Sequence, residues 1–466
     1  MTRLFLTLLL LASVSVHAEI TPNSLFQDNM VLQRNKPIAV FGKATLERNV
    51  SITFKNKEYL AKVNNGYWKV FLDESEAGGP FTLILKGENE ITLTNILVGE
   101  VWLCSGQSNM KMPLKGNSGQ PINGSNTAIL KSNNPQLRLF TVKQTRSDEP
   151  FESCVGEWQS SKPSVVKNFS ATAYFYGRML QETLGVPVGL ICTAWGGTPA
   201  EAWTPVEVLN SQFKDFKWPL IPSKPHRDPT VLYNGMIHPI IPFTIKGAIW
   251  YQGEGNKTYH ENYTKLFSAM IKSWRDRWGQ GDFPFYFVQI APFGFGGDNQ
   301  AYLREKQLKT MLTVPNTGMA VTLDIGERLC IHPAEKQKVG ERLALWSLAK
   351  DYGFTDIQYS GPVYKSININ GNRAYVSFDY ADLGLSTFGK ELTSIRIAGN
   401  DKMFYNAQYK ILRNGTLEVW SSQVENPVAV RYGWEQYVDG ALYNTAGLPA
   451  SSFRTDTWDD YQVVKD

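Results

Sequence analysis

The rhythm of hydrophobic and polar positions changes twice along the chain. Between Glu19 and about Leu97, short segments alternate apolar and polar residues between turn residues: "KPIAVFGKA", "NVSITFKN", "GYWKVFLDE", "GPFTLILKG" and "ITLTNILVG". A period of two broken by Gly, Asn and Pro predicts a small antiparallel β domain. From about Val98 the apolar segments become continuous, as in "EVWLCSG", "PVGLICTAW", "IKGAIWYQG", "FPFYFVQIA" and "GMAVTLDIG". Strands buried on both faces read this way, and parallel sheets bury both faces.

Helical stretches separate these strands. They are expected over Ala171 to Leu184, His260 to Trp278, Ala301 to Leu312 and Pro333 to Tyr352, the last opening on a proline followed by Glu335. Strands alternating with helices predict βαβ units and a mostly parallel sheet. After about Gly353 the β rhythm returns in "NRAYVSFDY", "LTSIRIAG", "QYKILRNGTLEVWSS" and "NPVAVRYGW", with "RNGT" as a hairpin turn. The expected organisation is therefore an N-terminal β domain over 19–97, an α/β domain over 98–353 and a C-terminal β-rich domain over 354–466. The turn-rich region Lys111 to Lys167 receives no elements.

Composition narrows the class. With 466 residues, 42% hydrophobic and 19% charged, the chain can bury a sizeable core over more than one domain. A net charge of +4 is too small to argue for nucleic acid or an anionic membrane surface. Residues 1–18 read as a signal peptide: Arg3, the apolar run Leu4 to Leu11, then Val16-His17-Ala18 as a cleavage site. The apolar run is shorter than the ~20 residues of a membrane span. An exported protein, periplasmic or secreted, is expected, with no membrane contact after cleavage.

The four cysteines are Cys104, Cys154, Cys192 and Cys330. Cys104 and Cys192 lie in apolar strands, where a buried free thiol is the ordinary reading. No Cys or His spacing suggests a metal site, and no nucleotide fingerprint appears, so no cofactor is expected. The sequon Asn256-Lys257-Thr258 lies within a motif considered below as active-site sequence. A glycan would obstruct that motif, which fits a bacterial exporter.

Three strand ends carry unusual turns: Gly106-Gln107-Ser108-Asn109, Gly196-Gly197 in "TAWGGTPAEAW", and Gln252-Gly253-Glu254 in "IWYQGEGN". Open α/β sheets place their chemistry at the carboxyl ends of strands, so all three can face one crevice. Serine needs a base. Among His226, His238, His260 and His332, position favours His332, which follows the strand Met319 to Gly326 and opens a helix.

Together "GEVWLCSGQSNM", "TAWGGTPAEAW", "IWYQGEGN", "IHPAEKQKVGERLA" and "GLPASSFRTD" resemble the sialate O-acetylesterase family of SGNH (GDSL-type) hydrolases. The resemblance spans nearly the whole chain after residue 18. It implies a three-layer αβα hydrolase core that removes O-acetyl groups from sugars, with an O-acetylated sugar as substrate and sialic acid as the namesake. It implies Ser108 as nucleophile and His332 as base. It further implies an oxyanion hole from the Ser108 N–H, Gly196 or Gly197, and the Gln252 amide. Ser105 is the neighbouring serine outside the motif position. Glu254 is assigned no chemical role.

The sequence departs from the wider SGNH pattern at the acid. The positions three and two before His332 hold Leu329 and Cys330. Asp324 and Glu327 are candidates, and a Ser–His dyad is the alternative. Rival functions are an acetylesterase for acetylated xylan or pectin, and a non-catalytic sugar-binding protein.

Overall fold

A computed structural model describes residues 19–45, 49–296 and 299–464. The expected signal peptide lies outside the described residues.

The central sheet is parallel and mixed with an antiparallel extension. Its main path runs Trp158–Ser161, Asn134–Thr141, Val188–Ala194, Glu90–Gly106, Gly247–Tyr251, Phe285–Val288 and Thr317–Ala320. All neighbours along it are parallel except the edge pair Trp158–Ser161 with Asn134–Thr141. The five apolar runs read from the sequence are thus five adjacent parallel strands. Asn134–Thr141 is a sixth, inside the region left unassigned.

Alternation along Phe285–Val288 shows helices on both faces of this sheet. Phe285 and Phe287 pack on Phe267 of the helix Tyr263–Trp278, with ring centroids at 5.9 and 4.9 Å. Tyr286, pointing the other way, packs on Trp346 of the helix Lys336–Asp351 at 6.1 Å. Trp102 on the neighbouring face position meets Tyr176 of the helix Ala171–Leu184 at 5.3 Å. Trp102, Trp250 and Trp274 are fully buried, and aromatic side chains of this size dominate core energetics.

The helices obey their local signals where nothing competes. Ser170 caps Ala171–Leu184 by accepting from Ala173 N, and Gly185 ends that helix in the left-handed region. The other starts differ from the sequence expectation. A 3-10 segment, Glu254–Asn262, occupies the residues before Tyr263. The last helix begins at Lys336, not Pro333, because Glu335 is non-helical and the Pro333 carbonyl is taken by the Lys336 side chain.

The strand Glu90–Gly106 runs through the expected 97/98 boundary without a break. Its first half pairs antiparallel with Gly78–Lys86, and its second half is the centre of the parallel sheet. The C-terminal region forms largely antiparallel sheets, including the "RNGT" hairpin of Gln408–Ile411 with Leu417–Trp420. It docks on the α/β core through Arg304, which is fully buried and donates to the carbonyls of Gly433 and Glu435. All four cysteines are free thiols, and Cys104 and Cys192 are register partners on adjacent strands.

Candidate active site

Sheet order decides where a crevice opens. The chain leaves Glu90–Gly106 to build strands on one side, then returns to build Gly247–Tyr251 and its successors on the other. The carboxyl end of Glu90–Gly106 is thus the switch point, where open α/β sheets bind ligands. Ser108 stands there as the first residue of the short helix Ser108–Lys111. Gly106 is in register with Ala194 on one side and Tyr251 on the other. Its φ is +138°, and a Cβ would run into the Tyr251 carbonyl oxygen, so the turn into Ser108 requires glycine.

Neighbouring strand ends close around this turn. The Trp195 N–H donates to the Gly106 carbonyl (3.1 Å), and the Gln107 N–H to that of Tyr251 (2.9 Å). Gln107 Oε1 accepts from the N–H groups of Gly253 (3.3 Å) and Gly255 (3.1 Å). Gly196 lies against the serine: a Cβ there would sit 3.4 Å from Ser108 Cβ. Ser105, by contrast, is sealed in the sheet at 0% exposure between Thr193 and Trp250. A substrate cannot reach it.

His332 arrives from the far end of the sheet in the irregular segment after Thr317–Ala320. Its Nδ1 is 3.0 Å from Gln120 Oε1. An amide oxygen only accepts, so Nδ1 carries the proton and Nε2 is left as the basic nitrogen. Burial, and then the Lys336 ammonium, lower the His332 pKa from 6.5 to about 4. The imidazole is therefore neutral across the neutral range.

Neither carboxylate candidate touches the histidine. Asp324 gives both oxygens to Arg342 at 2.7 Å, and Glu327 Oε1 accepts from the Ala334 N–H at 2.7 Å. Asp324, expected as a possible triad acid, is one half of a buried ion pair instead. The position beside His332 belongs to Gln120, 212 residues away in sequence.

Gln252 also faces elsewhere. Its Nε2 donates to Thr198 O (3.2 Å) and Asn256 Oδ1 (2.7 Å), and its Oε1 accepts from the Tyr263 hydroxyl (2.9 Å). Fully buried, the amide braces the turn after Gly247–Tyr251 rather than pointing at Ser108. Asn256 is equally enclosed, accepting from the Ala200 N–H and donating to Glu201. The sequon asparagine is thus a core residue at 1% exposure.

The remaining histidines fall into place by contact. His226 stacks on Trp195, beside the glycine turn, at 4.9 Å and 9°. His238 Nδ1 meets the Phe151 carbonyl, and His260 stacks on Tyr302. Sequence reasoning missed Gln120, which has no local signature. It also missed Lys336 as a site residue, although Lys336 lies only four residues after His332 in the quoted motif "IHPAEKQKVGERLA".

A serine on a glycine turn at the switch point of a parallel sheet, with a neutral histidine on a neighbouring segment, is an arrangement suited to carboxylic ester hydrolysis. Comparison with known proteins narrows the class. A profile of the family described as "Carbohydrate esterase, sialic acid-specific acetylesterase" matches residues 98–348. Sialate O-acetylesterase from Homo sapiens is 32% identical over 92% of this chain and 91% of its own length. The protein of the same name from Pongo abelii is 33% identical over 77% of this chain and 76% of its own. A crystal structure of a carbohydrate acetylesterase from Xanthomonas citri superposes with a TM-score of 0.87 at 39% identity, covering 94% of this chain and all of that one. The chain belongs to the sialic acid-specific acetylesterase family of carbohydrate esterases.

Proposed function

We propose that this protein removes O-acetyl groups from carbohydrates through an acetyl-enzyme on Ser108, with O-acetylated sialic acids as its substrates. The observation that carries the reading is the placement of Ser108 at the sheet's switch point, with Gly196 packed against it and the His332 segment tied to its neighbour Asn109. The family relationship supports the substrate class. Residues 98–353 are read as an SGNH-type three-layer core flanked by β units at 19–97 and 354–466.

In the first half-reaction Ser108 Oγ attacks the acetyl carbonyl while His332 Nε2 takes the hydroxyl proton. The oxyanion that forms is held by the backbone N–H of Ser108 and that of Gly196 or Gly197, each worth about 3 kcal/mol of barrier. The bond from the acetyl carbon to the sugar oxygen breaks, and His332 returns the proton to that oxygen. Water then attacks the acetyl-enzyme with His332 again as base, releasing acetate and restoring Ser108. Gln120 fixes the tautomer but brings no negative charge to the imidazolium. The site works as a Ser108–His332 dyad with an amide in the acid's position. An exported, periplasmic or secreted location fits this substrate class.

Acetate release from a panel of O-acetyl sialic acids, acetylated xylan and acetylated pectin tests the reading. Turnover of the sialic acids is expected. Turnover of xylan or pectin alone would move the substrate class, and no turnover of any member would leave a sugar-binding protein.

A further inference from the structure

A fully buried lysine and a half-buried glutamate with one buried carboxylate oxygen lie beside the nucleophile, and the reaction as written uses neither. Lys336 is 0% exposed, on the first turn of the helix that follows His332. Its Nζ donates to the Pro333 carbonyl and to Asn109 Oδ1, each at 2.7 Å. Asn109, also 0% exposed, follows Ser108 directly. Its Nδ2 donates to Glu254 Oε1 at 2.7 Å and to the Ile331 carbonyl at 3.1 Å. The carbonyls on either side of His332 are therefore each held by this one unit, and the unit is centred on the nucleophile's neighbour.

The charges at its two ends give the amide a direction. Asn109 must turn its oxygen to the ammonium and its nitrogen to the carboxylate; a flipped amide would lose both charge-assisted bonds. Burying such charges is costly, and a well-packed apolar pair of the same volume often serves stability as well or better. Glu254 Oε2 is buried with no hydrogen-bond partner among the described residues. Burial raises the Glu254 pKa and lowers that of Lys336 to about 7, the mark of groups held against their solvation. An arrangement that is expensive for stability, and that grips the segment on both sides of the base, is suited to orientation.

We infer that Lys336, Asn109 and Glu254 form a positioning unit that sets His332 on Ser108, doing by backbone clamping what a triad acid does by side-chain contact. The inference rests on the reading of Ser108 and His332 as the catalytic pair. Lys336, Asn109 and Glu254 are positioning residues: they act on the reaction through His332.

The test is a double-mutant cycle on p-nitrophenyl acetate, with kcat, KM and melting temperature measured for each variant. Lys336→Met keeps the side-chain volume and removes both donors. In the wild-type background it should lower kcat by ~10²-fold, the effect of a misplacement of about 1 Å, with KM within ~3-fold. In the His332→Ala background the same substitution should change the residual activity by less than ~2-fold, because residues acting as one unit are not additive. Glu254→Gln, which removes the charge and keeps the shape, repeats the cycle should Lys336→Met fail to fold, with a smaller loss and the same dependence on His332. Equal losses in both backgrounds, or no loss in the wild type, would overturn the inference and leave the catalytic pair standing. A silent His332→Ala would overturn both.

Discussion

Replacing Asp324 by asparagine separates a structural carboxylate from a catalytic one. The side chain is 6% exposed and its partner Arg342 8%, and the two share a two-pronged ion pair at 2.7 Å. Arg342 Nη1 also donates to the Val321 carbonyl at 2.8 Å, so the pair ties the helix Lys336–Asp351 to the segment leading to His332. Removing one member of a buried pair leaves the other charge uncompensated, at about 3 kcal/mol or more. Asn keeps one acceptor, so about 3 kcal/mol of lost stability is the expected size. The turnover number should stay within ~3-fold, since His332 meets Gln120 and not this carboxylate. A triad acid behaves in the opposite way: its loss costs ~10⁴-fold in kcat while the fold is untouched. Steady-state kinetics on p-nitrophenyl acetate and urea unfolding of Asp324→Asn give both numbers. A ~10³-fold fall in kcat at unchanged stability would refute the dyad.

Gln120→Ala removes one neutral hydrogen bond to His332, worth about 1 kcal/mol, so kcat should fall about fivefold; a loss near ~10³-fold would make the amide the full equivalent of a triad acid. Gln252→Ala should lower the melting temperature by removing the buried bonds to Thr198 O, Asn256 Oδ1 and the Tyr263 hydroxyl, with kcat within ~10-fold; a ~10²-fold fall in kcat at unchanged stability would return the amide to the oxyanion hole. The acid limb of kcat/KM should have its midpoint at about pH 4 and not near 6.5, because burial and Lys336 keep His332 neutral down to that value. The same shift means the unfolded chain binds the imidazole proton first, so this group withdraws stability as pH falls from 6.5 towards 4 and none above. A limb at 6.5 or higher would show a His332 less buried than the structure has it.

Much of this architecture is legible in the sequence because parallel strands buried on both faces leave continuous apolar runs that nothing else in the chain imitates. Gly106, Gly196 and the turn after Tyr251 are legible for the same reason: each stands where such a run stops. The strand Asn134–Thr141 is not legible. Pro135, Gln136 and Arg138 interrupt its apolar pattern, and Arg138 reads as surface although it is 3% exposed and bonded to the carbonyls of Pro135 and Asn29. Pro333 signals a helix start correctly by local rules, but Lys336 takes its carbonyl and delays the helix by three residues. Gln120, and the partner of Glu254, were beyond reach for a different reason, although Glu254 itself stands in a turn the sequence singles out. A polar residue in a loop or at the start of a 3-10 segment carries no periodicity, and its partner across 212 or 145 residues is set by the sheet order.

The central claim is a covalent acetyl group on Ser108. Rapid acid quench of the enzyme with an O-acetylated sialic acid, followed by mass measurement of the peptide containing Ser108, tests it directly. One added acetyl group is expected on that peptide, accumulating within the first turnover, and none in Ser108→Ala. An unmodified Ser108 peptide during active turnover, or a Ser108→Ala variant that still releases acetate within a few-fold of the wild-type rate, would contradict it.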